Sequence, residues 1–217
     1  MTEHLQTDTK SSGEAAYDAL LLAISDGRLM PGDRIREVEV SNLLNLSRTP
    51  IREALRRLES EGIVEHRARI GAVVRKLSHG EIVELYEMRV VLEKTAAEMA
   101  AKHASEAEID TLADLNADIA AHRGDPVAAA SINQEFHKAL YRACRNRFLL
   151  DAAKALNNSL ILLGITTFTD EERIDVVVDQ HQAVIDALRA RDPDRAGEAA
   201  EAHLQTSLRK RLKVING

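Results

Sequence analysis

At 217 residues, 45% hydrophobic and 29% charged, the chain has the composition of a soluble, core-forming protein long enough for two modest domains rather than a disordered polymer. No apolar run approaches the ~20 residues that span a bilayer. The polar start Met1–Ser12 has no apolar signal core, and a single cysteine, Cys144, leaves neither an intrachain disulfide nor a cysteine-built zinc site, so a cytoplasmic protein with no membrane partner is expected. The net charge of −6 is unevenly spread: residues 14–78 carry eleven basic against ten acidic groups, and residues 79–217 carry 17 against 23.

Residues 1–13, polar and rich in Ser and Thr, are expected to form a flexible tail. Glu14–Asp26 reads as a helix with Ala16, Leu20, Ala23 and Ile24 inward, stopped by Gly27, and Pro31-Gly32 marks a turn. Glu37–Leu44 is a short amphipathic segment, and Asn45-Leu46 turns tightly into a second helix that Ser47 can cap, with Pro50 in its first turn and Gly62 beyond its end. At 100° per residue, Ile51, Ala54, Leu55 and Leu58 of that helix share one face, and Arg48, Arg52 and Arg56 form a row beside it. Such a row on a lone helix reads as a solvated face. Here it comes after a helix and a short turn, and precedes two β-prone runs, Ile63–His66 and Ala72–Arg75, around a basic tip at Arg67–Gly71. The arrangement predicts a winged helix-turn-helix over 14–76, with its positive charge gathered at the recognition helix and the wing.

The segments Pro31–Glu37, Ser47–Leu58, Glu61–Val64 and Gly71–Val74 together resemble the DNA-binding domain of the GntR family of bacterial transcription regulators. The resemblance implies a homodimer that reads a pseudo-palindromic operator in double-stranded DNA, with the recognition helix in the major groove and the wing near the minor groove. Arg48 and Arg52 are the expected base-contacting residues, and Ser47 and Thr49 the hydroxyl donors to phosphate. Arg36 and Arg69 are expected on the backbone, with Gly71 letting the wing turn closely.

Residues 77–79 are expected to be a short linker, with Ser78 capping the next helix. From residue 80 to 213 the chain turns to Ala, Leu and charge. Helices are predicted over about 80–103, 106–122, 126–145, 147–164, 170–190 and 193–213, with breaks at Ala104-Ser105, Arg123–Pro126, Arg145-Asn146, Thr166–Asp170 and Asp192-Pro193. The fold class is therefore mainly α: a winged helix-turn-helix with a small β-hairpin, and after it an antiparallel six-helix bundle large enough to enclose a pocket.

Leu85–Glu93, Asn133–Leu140, His181–Ile185 and His203-Leu204 resemble the FCD effector domain of the FadR-like branch of the same family; six helices rather than seven is more similar to its VanR-type variant. Asn133 and His137 lie one turn apart on one side of a helix, and His181 falls in line with Val178, Ile185 and Leu188 on an apolar stripe. Any one of these imidazoles alone reads as a hydrogen-bonded core histidine. Three on separate helices of a pocket-forming bundle, with an oxygen donor one turn away, point instead to a metal site of Asn133, His137, His181 and His203. In the family these positions often supply one Asp and three His around a divalent ion, with an open face for a carboxylate. Asn133 stands in the Asp position and leaves the ion, zinc first and nickel or manganese as alternatives, with more net positive charge. Arg89 has two equal readings: a clamp for a small carboxylate effector, or a salt bridge to Glu93 or a neighbouring helix.

A metal-dependent hydrolase built on the bundle is the rival reading, since three imidazoles around an ion can activate water. Against it, the carboxylate nearest in sequence, Glu135, is two residues from His137 and points elsewhere on the helix. An adaptor without DNA binding is opposed by the intact arginine row and wing. The reading that results is a ligand-responsive transcription regulator, expected to repress a metabolic operon.

Overall fold

The structure, a computed structural model, describes residues 11–164, 167, 168 and 170–216. The expected tail lies, for residues 1–10, outside the described residues, as do Thr166 and Thr169 of the expected break before residue 170. The chain forms two compact units. Among the described residues, one takes in residues 11–77 together with Asn158–Gly164, and the other takes in the rest.

The first unit contains α1 (Ser12–Ser25), α2 (Glu37–Leu44), α3 (Arg48–Ser60) and an antiparallel hairpin of β1 (Val64–Arg67) and β2 (Gly71–Val74), with Val64 opposite Val74 and Arg67 opposite Gly71. Arg34 bridges to Val73, and Ile35 N–H donates to the Ala72 carbonyl, so β2 is paired on both sides. Asn45 ends α2 in the left-handed conformation, φ 52°, which Asn tolerates better than most residues and which turns the chain into α3 within three residues. Leu20, Ile51, Leu58 and Ile63 are fully buried at the centre. Leu162, from a 3₁₀ turn at Ile161–Leu163, joins the same cluster. The sequence reading put residues 158–164 in the helical lobe. The apolar surface of Leu162 and Ile161, which packs on this cluster, places the segment in the first unit instead.

The second unit is built from α4 (His79–His103), α5 (Glu106–Ala121), α6 (Pro126–Ala143), α7 (Arg147–Leu160) as far as Asn157, α8 (Glu171–Arg189) and α9 (Pro193–Asn216). Helix α7 ends before residue 164, and α9 runs beyond 213. The expected linker is also shorter, because His79 already belongs to α4. Ser78 accepts from Glu81 N–H while the Glu81 carboxylate accepts from Ser78 N–H, a capping box that starts the helix at once. Asp125 and Asp170 cap α6 and α8 in the same way through one bond each. Alanines make close helix contact possible: Ala97, Ala100 and Ala101 of α4 and Ala196 and Ala200 of α9 are buried in one cluster with Phe136, Leu140, Ile174 and Ile185. Helix α9 packs on α4 and α8, and α6 on α4 and α5, which gathers side chains of α4, α6, α8 and α9 around one interior.

Candidate functional site

In the first unit, α3 buries Ile51, Ala54, Leu55 and Leu58 and exposes Arg48, Thr49, Arg52 and Arg56, as the 100° count predicts. Ser47 occupies the N-cap position, but its hydroxyl makes no capping bond and is exposed, so the amide donors of the first turn and the hydroxyl face outward together. Arg69 sits at the exposed tip of the wing in the left-handed conformation, φ 67°, with Gly71 after it at φ 98°, where a side chain would be strained. Arg34, Arg36, Arg48, Arg52, Arg56 and Gly71 border one open cleft of about 720 Å³ between α2, α3 and the wing.

The arginines are not bare. Arg52 Nε lies 2.8 Å and Arg48 Nη2 3.1 Å from Glu37, while Arg36 Nη1 lies 2.5 Å from Glu39. The Arg52 hydrogen bond is the largest influence holding the Glu37 carboxyl below its ordinary range. Glu37 begins α2, and sequence reading gave it no role. Its carboxylate pairs with Arg48 and Arg52 together.

In the second unit, His137 of α6, His181 of α8 and His203 of α9 converge: their ring centroids are 5.4, 5.3 and 4.7 Å apart pairwise, and a ligand atom from each lies within 4.8 Å of the others. All three are buried. His203 Nδ1 faces Gln180 Oε1 at 3.1 Å, an acceptor that fixes a proton on Nδ1 and leaves Nε2 as the lone-pair nitrogen. His181 stacks on Phe136 with centroids 3.7 Å apart and rings within 2° of parallel, yet both of its nitrogens are buried without a hydrogen-bond partner. Asn133, one turn before His137, likewise has a buried, partnerless Oδ1. Burial, and after it the positive charges of neighbouring groups, pushes His181 and His203 well below the usual histidine range, so both are neutral at pH 7. Three buried imidazoles with ligand atoms gathered this closely could hold a divalent cation, and orphaned buried polar atoms such as the His181 nitrogens and the Asn133 Oδ1 are costly without a partner.

Glu93 of α4 completes the cluster, and sequence reading missed it as a site residue. Its Oε1 lies 2.6 Å from His137 Nδ1, close in distance though not aligned as a hydrogen bond. Tyr141 donates to its Oε2 at 3.3 Å. Burial raises this carboxyl, but His137 and Arg89 overcome burial and hold it at about 2. Arg89 is buried, 3.6 Å from Glu93, with its Nε unpartnered and its guanidinium 5.1 Å from the Tyr86 ring. The salt-bridge reading is thus realised only as a long contact. The signal for Glu93 was present in the sequence as the four-residue spacing Arg89–Glu93. Its approach to His137, 44 residues away, was not.

Residues 12–74 match the family model for bacterial regulatory proteins of the gntR family, and residues 84–206 match the FCD domain. The chain belongs to the GntR family. Over 88% of its length it is 32% identical to the probable D-xylose utilization operon transcriptional repressor of Paenarthrobacter nicotinovorans, covering 84% of that protein. It is 30% identical to the Nta operon transcriptional regulator of Aminobacter aminovorans, over 86% of this chain and 88% of that one. In fold it resembles E. coli McbR/YncC, with TM-score 0.83 at 20% identity over 95% and 100% of the two chains. A GntR regulator of Rhodococcus sp. RHA1 gives TM-score 0.77 at 24% identity over 94% and 99%. This GntR-family member is a ligand-responsive, DNA-binding transcription regulator and not an enzyme. No helix among the described residues is long and apolar enough to cross a membrane.

Proposed function

We propose that this GntR-family regulator acts in the cytoplasm as a homodimeric repressor of a metabolic operon, and that a small organic acid bound at a metal site in its FCD domain modulates or relieves repression. The observation that carries the sensor half is His181, an imidazole with neither nitrogen satisfied at the centre of two others. His137, His181, His203 and the Asn133 oxygen would hold the ion, zinc first and nickel or manganese next, since all accept imidazole. The ion would supply Lewis acidity and a position for a carboxylate oxygen. Asn133 brings no charge to it. Glu93, beside His137, returns one negative charge from just outside the donor set, which leaves the centre cationic and suited to an anion. Arg89, buried with a free Nε, adds a charged donor for the carboxylate.

On the DNA side, Arg48 and Arg52 are assigned to bases in the major groove, Ser47 and Thr49 to phosphate at the start of α3, and Arg36 and Arg69 to the flanking backbone, with Gly71 keeping the wing tip thin. The exposure of all three recognition arginines on the open cleft supports this. Two copies of the head would read half-sites of a pseudo-palindrome. An effector changes DNA binding only by favouring one arrangement of the two heads over another.

The test pairs two measurements on protein purified without chelator: metal content, and a gel shift with the DNA upstream of its own gene across a panel of small acids. A specific shift that an acid alters only when near-stoichiometric metal is present supports the reading. A metal-free protein whose shift no acid alters overturns the sensor half, and equal affinity for random duplex overturns the operator half.

A further inference from the structure

Arg173, in the first turn of α8, carries a buried and only partly bonded guanidinium. The residue is 6% exposed, and its Nη2 donates to Ser207 Oγ at 2.9 Å. Its Nε and Nη1 are buried with no hydrogen-bond partner, and it forms no ion pair among the described residues. The nearest acid in sequence, Asp170, is already engaged, accepting the Arg173 backbone N–H at 2.8 Å to cap the helix and lying 3.4 Å from Lys210 Nζ. Burial draws the guanidinium below its usual range. An arginine stays charged in spite of this, and a charge buried with two idle donors is a cost that a fold accepts for a ligand.

Its placement ties it to the histidine centre. Arg173, Val177 and His181 succeed one another at intervals of four along α8 and are all buried, so they share one stripe. Ser207, its partner on α9, is one turn beyond His203. The helices α8 and α9 pack together, which sets the Arg173–Ser207 pair on the same two helices as His181 and His203. Eight residues of helix rise about 12 Å, which is the backbone separation of Arg173 and His181 along α8.

The geometry points to Arg173 and Ser207 as a second anion-binding end of the effector site, and therefore to an effector that is a short-chain dianion: one carboxylate at the imidazoles and Arg89, and a second carboxylate or a phosphate in the fork of Arg173. This rests on the organic-acid reading above and narrows its ligand class. Two charge-assisted bonds to the idle nitrogens favour such a ligand over a monoacid by about tenfold or more.

Titration calorimetry on the full, zinc-loaded chain with acetate, succinate, glutarate and phosphoglycolate tests it. At least one dianion should bind about tenfold or more tighter than acetate. Arg173→Gln should reduce that advantage to about twofold, and Ser207→Ala should erode it in a folded protein even if the arginine variant does not fold. Preference for succinate or glutarate identifies a second carboxylate, and preference for phosphoglycolate a phosphate. If acetate binds as tightly as every dianion, or if the advantage survives in both variants, the Arg173 assignment falls and the sensor reading stands. If none of the four binds, both fall.

Discussion

Replacing Glu93 with Gln removes one buried charge with almost no change of shape, and the structure sets the size of the effect. The carboxylate lies 2.6 Å from His137 Nδ1 and 3.6 Å from Arg89 Nη2, and is held at about 2 against an ordinary 4.5. That depression corresponds to about 3 kcal/mol in favour of the ionised form, and because the group is fully buried no discount for solvent screening applies. Since the folded pKa is the lower one, this stability is fully present above pH 4.5 and is lost as the pH falls towards 2. Glu93→Gln should therefore lower the unfolding free energy by about 3 kcal/mol at pH 7, and the gap between variant and native protein should shrink to about half of that near pH 3. Urea denaturation monitored by far-UV circular dichroism, at matched pH for both proteins, measures the gap directly. A loss below about 1 kcal/mol at pH 7, or a gap that does not narrow on acidification, would refute the claim that His137 and Arg89 outweigh the burial of this carboxylate.

On the DNA side, Arg52→Ala should cost about 1 to 3 kcal/mol on operator and little on random duplex, whereas Arg69→Ala should weaken both alike. Equal losses for both variants on both duplexes, by fluorescence anisotropy, would overturn the division of roles. Glu37→Gln releases Arg48 and Arg52 from their shared carboxylate, so affinity for random duplex should rise and the salt dependence steepen by about one phosphate contact. An unchanged salt slope would show that Glu37 imposes no brake. His181→Phe should abolish zinc uptake, measured by metal analysis, without lowering the urea midpoint, because the imbalance it removes is two buried, unsatisfied nitrogens beside Phe136. In the native protein the folded-state pKa of His181 lies below that of the unfolded chain, so protons taken up on unfolding erode stability as the pH falls below about 6.5. The variant should lose less over that range, and retained zinc or an identical acid profile would contradict this reading.

The elements legible in the sequence were those whose cause is local. The arginine row and buried face of α3 come from helix geometry alone, the hairpin from a β-prone pair around a glycine-bearing tip, and the start of α4 from Ser78 ahead of the group it caps. The meeting of His137, His181 and His203 was anticipated because family resemblance and apolar periodicity pointed to the same positions. What periodicity could not supply was the chemistry between helices. Glu93 reaches His137, Gln180 orients His203, and Arg173 reaches Ser207, each across a helix packing that sequence spacing does not encode. Glu37 escaped for the same reason: its partners Arg48 and Arg52 lie 11 and 15 residues away on another helix. The burial of Leu162 in the first unit is a third case, since nothing in the alternation of residues 147–164 says which core a final leucine will fill.

That leucine bears on how the DNA-binding head can be studied alone. A fragment ending at Leu77 would keep every residue assigned to the operator but lose the plug that closes its hydrophobic centre, baring apolar surface on the α1 side. Such a fragment is expected to melt early and self-associate. Restoring Ile161–Leu163 as a short tethered peptide is the direct remedy for binding-site selection with the isolated head.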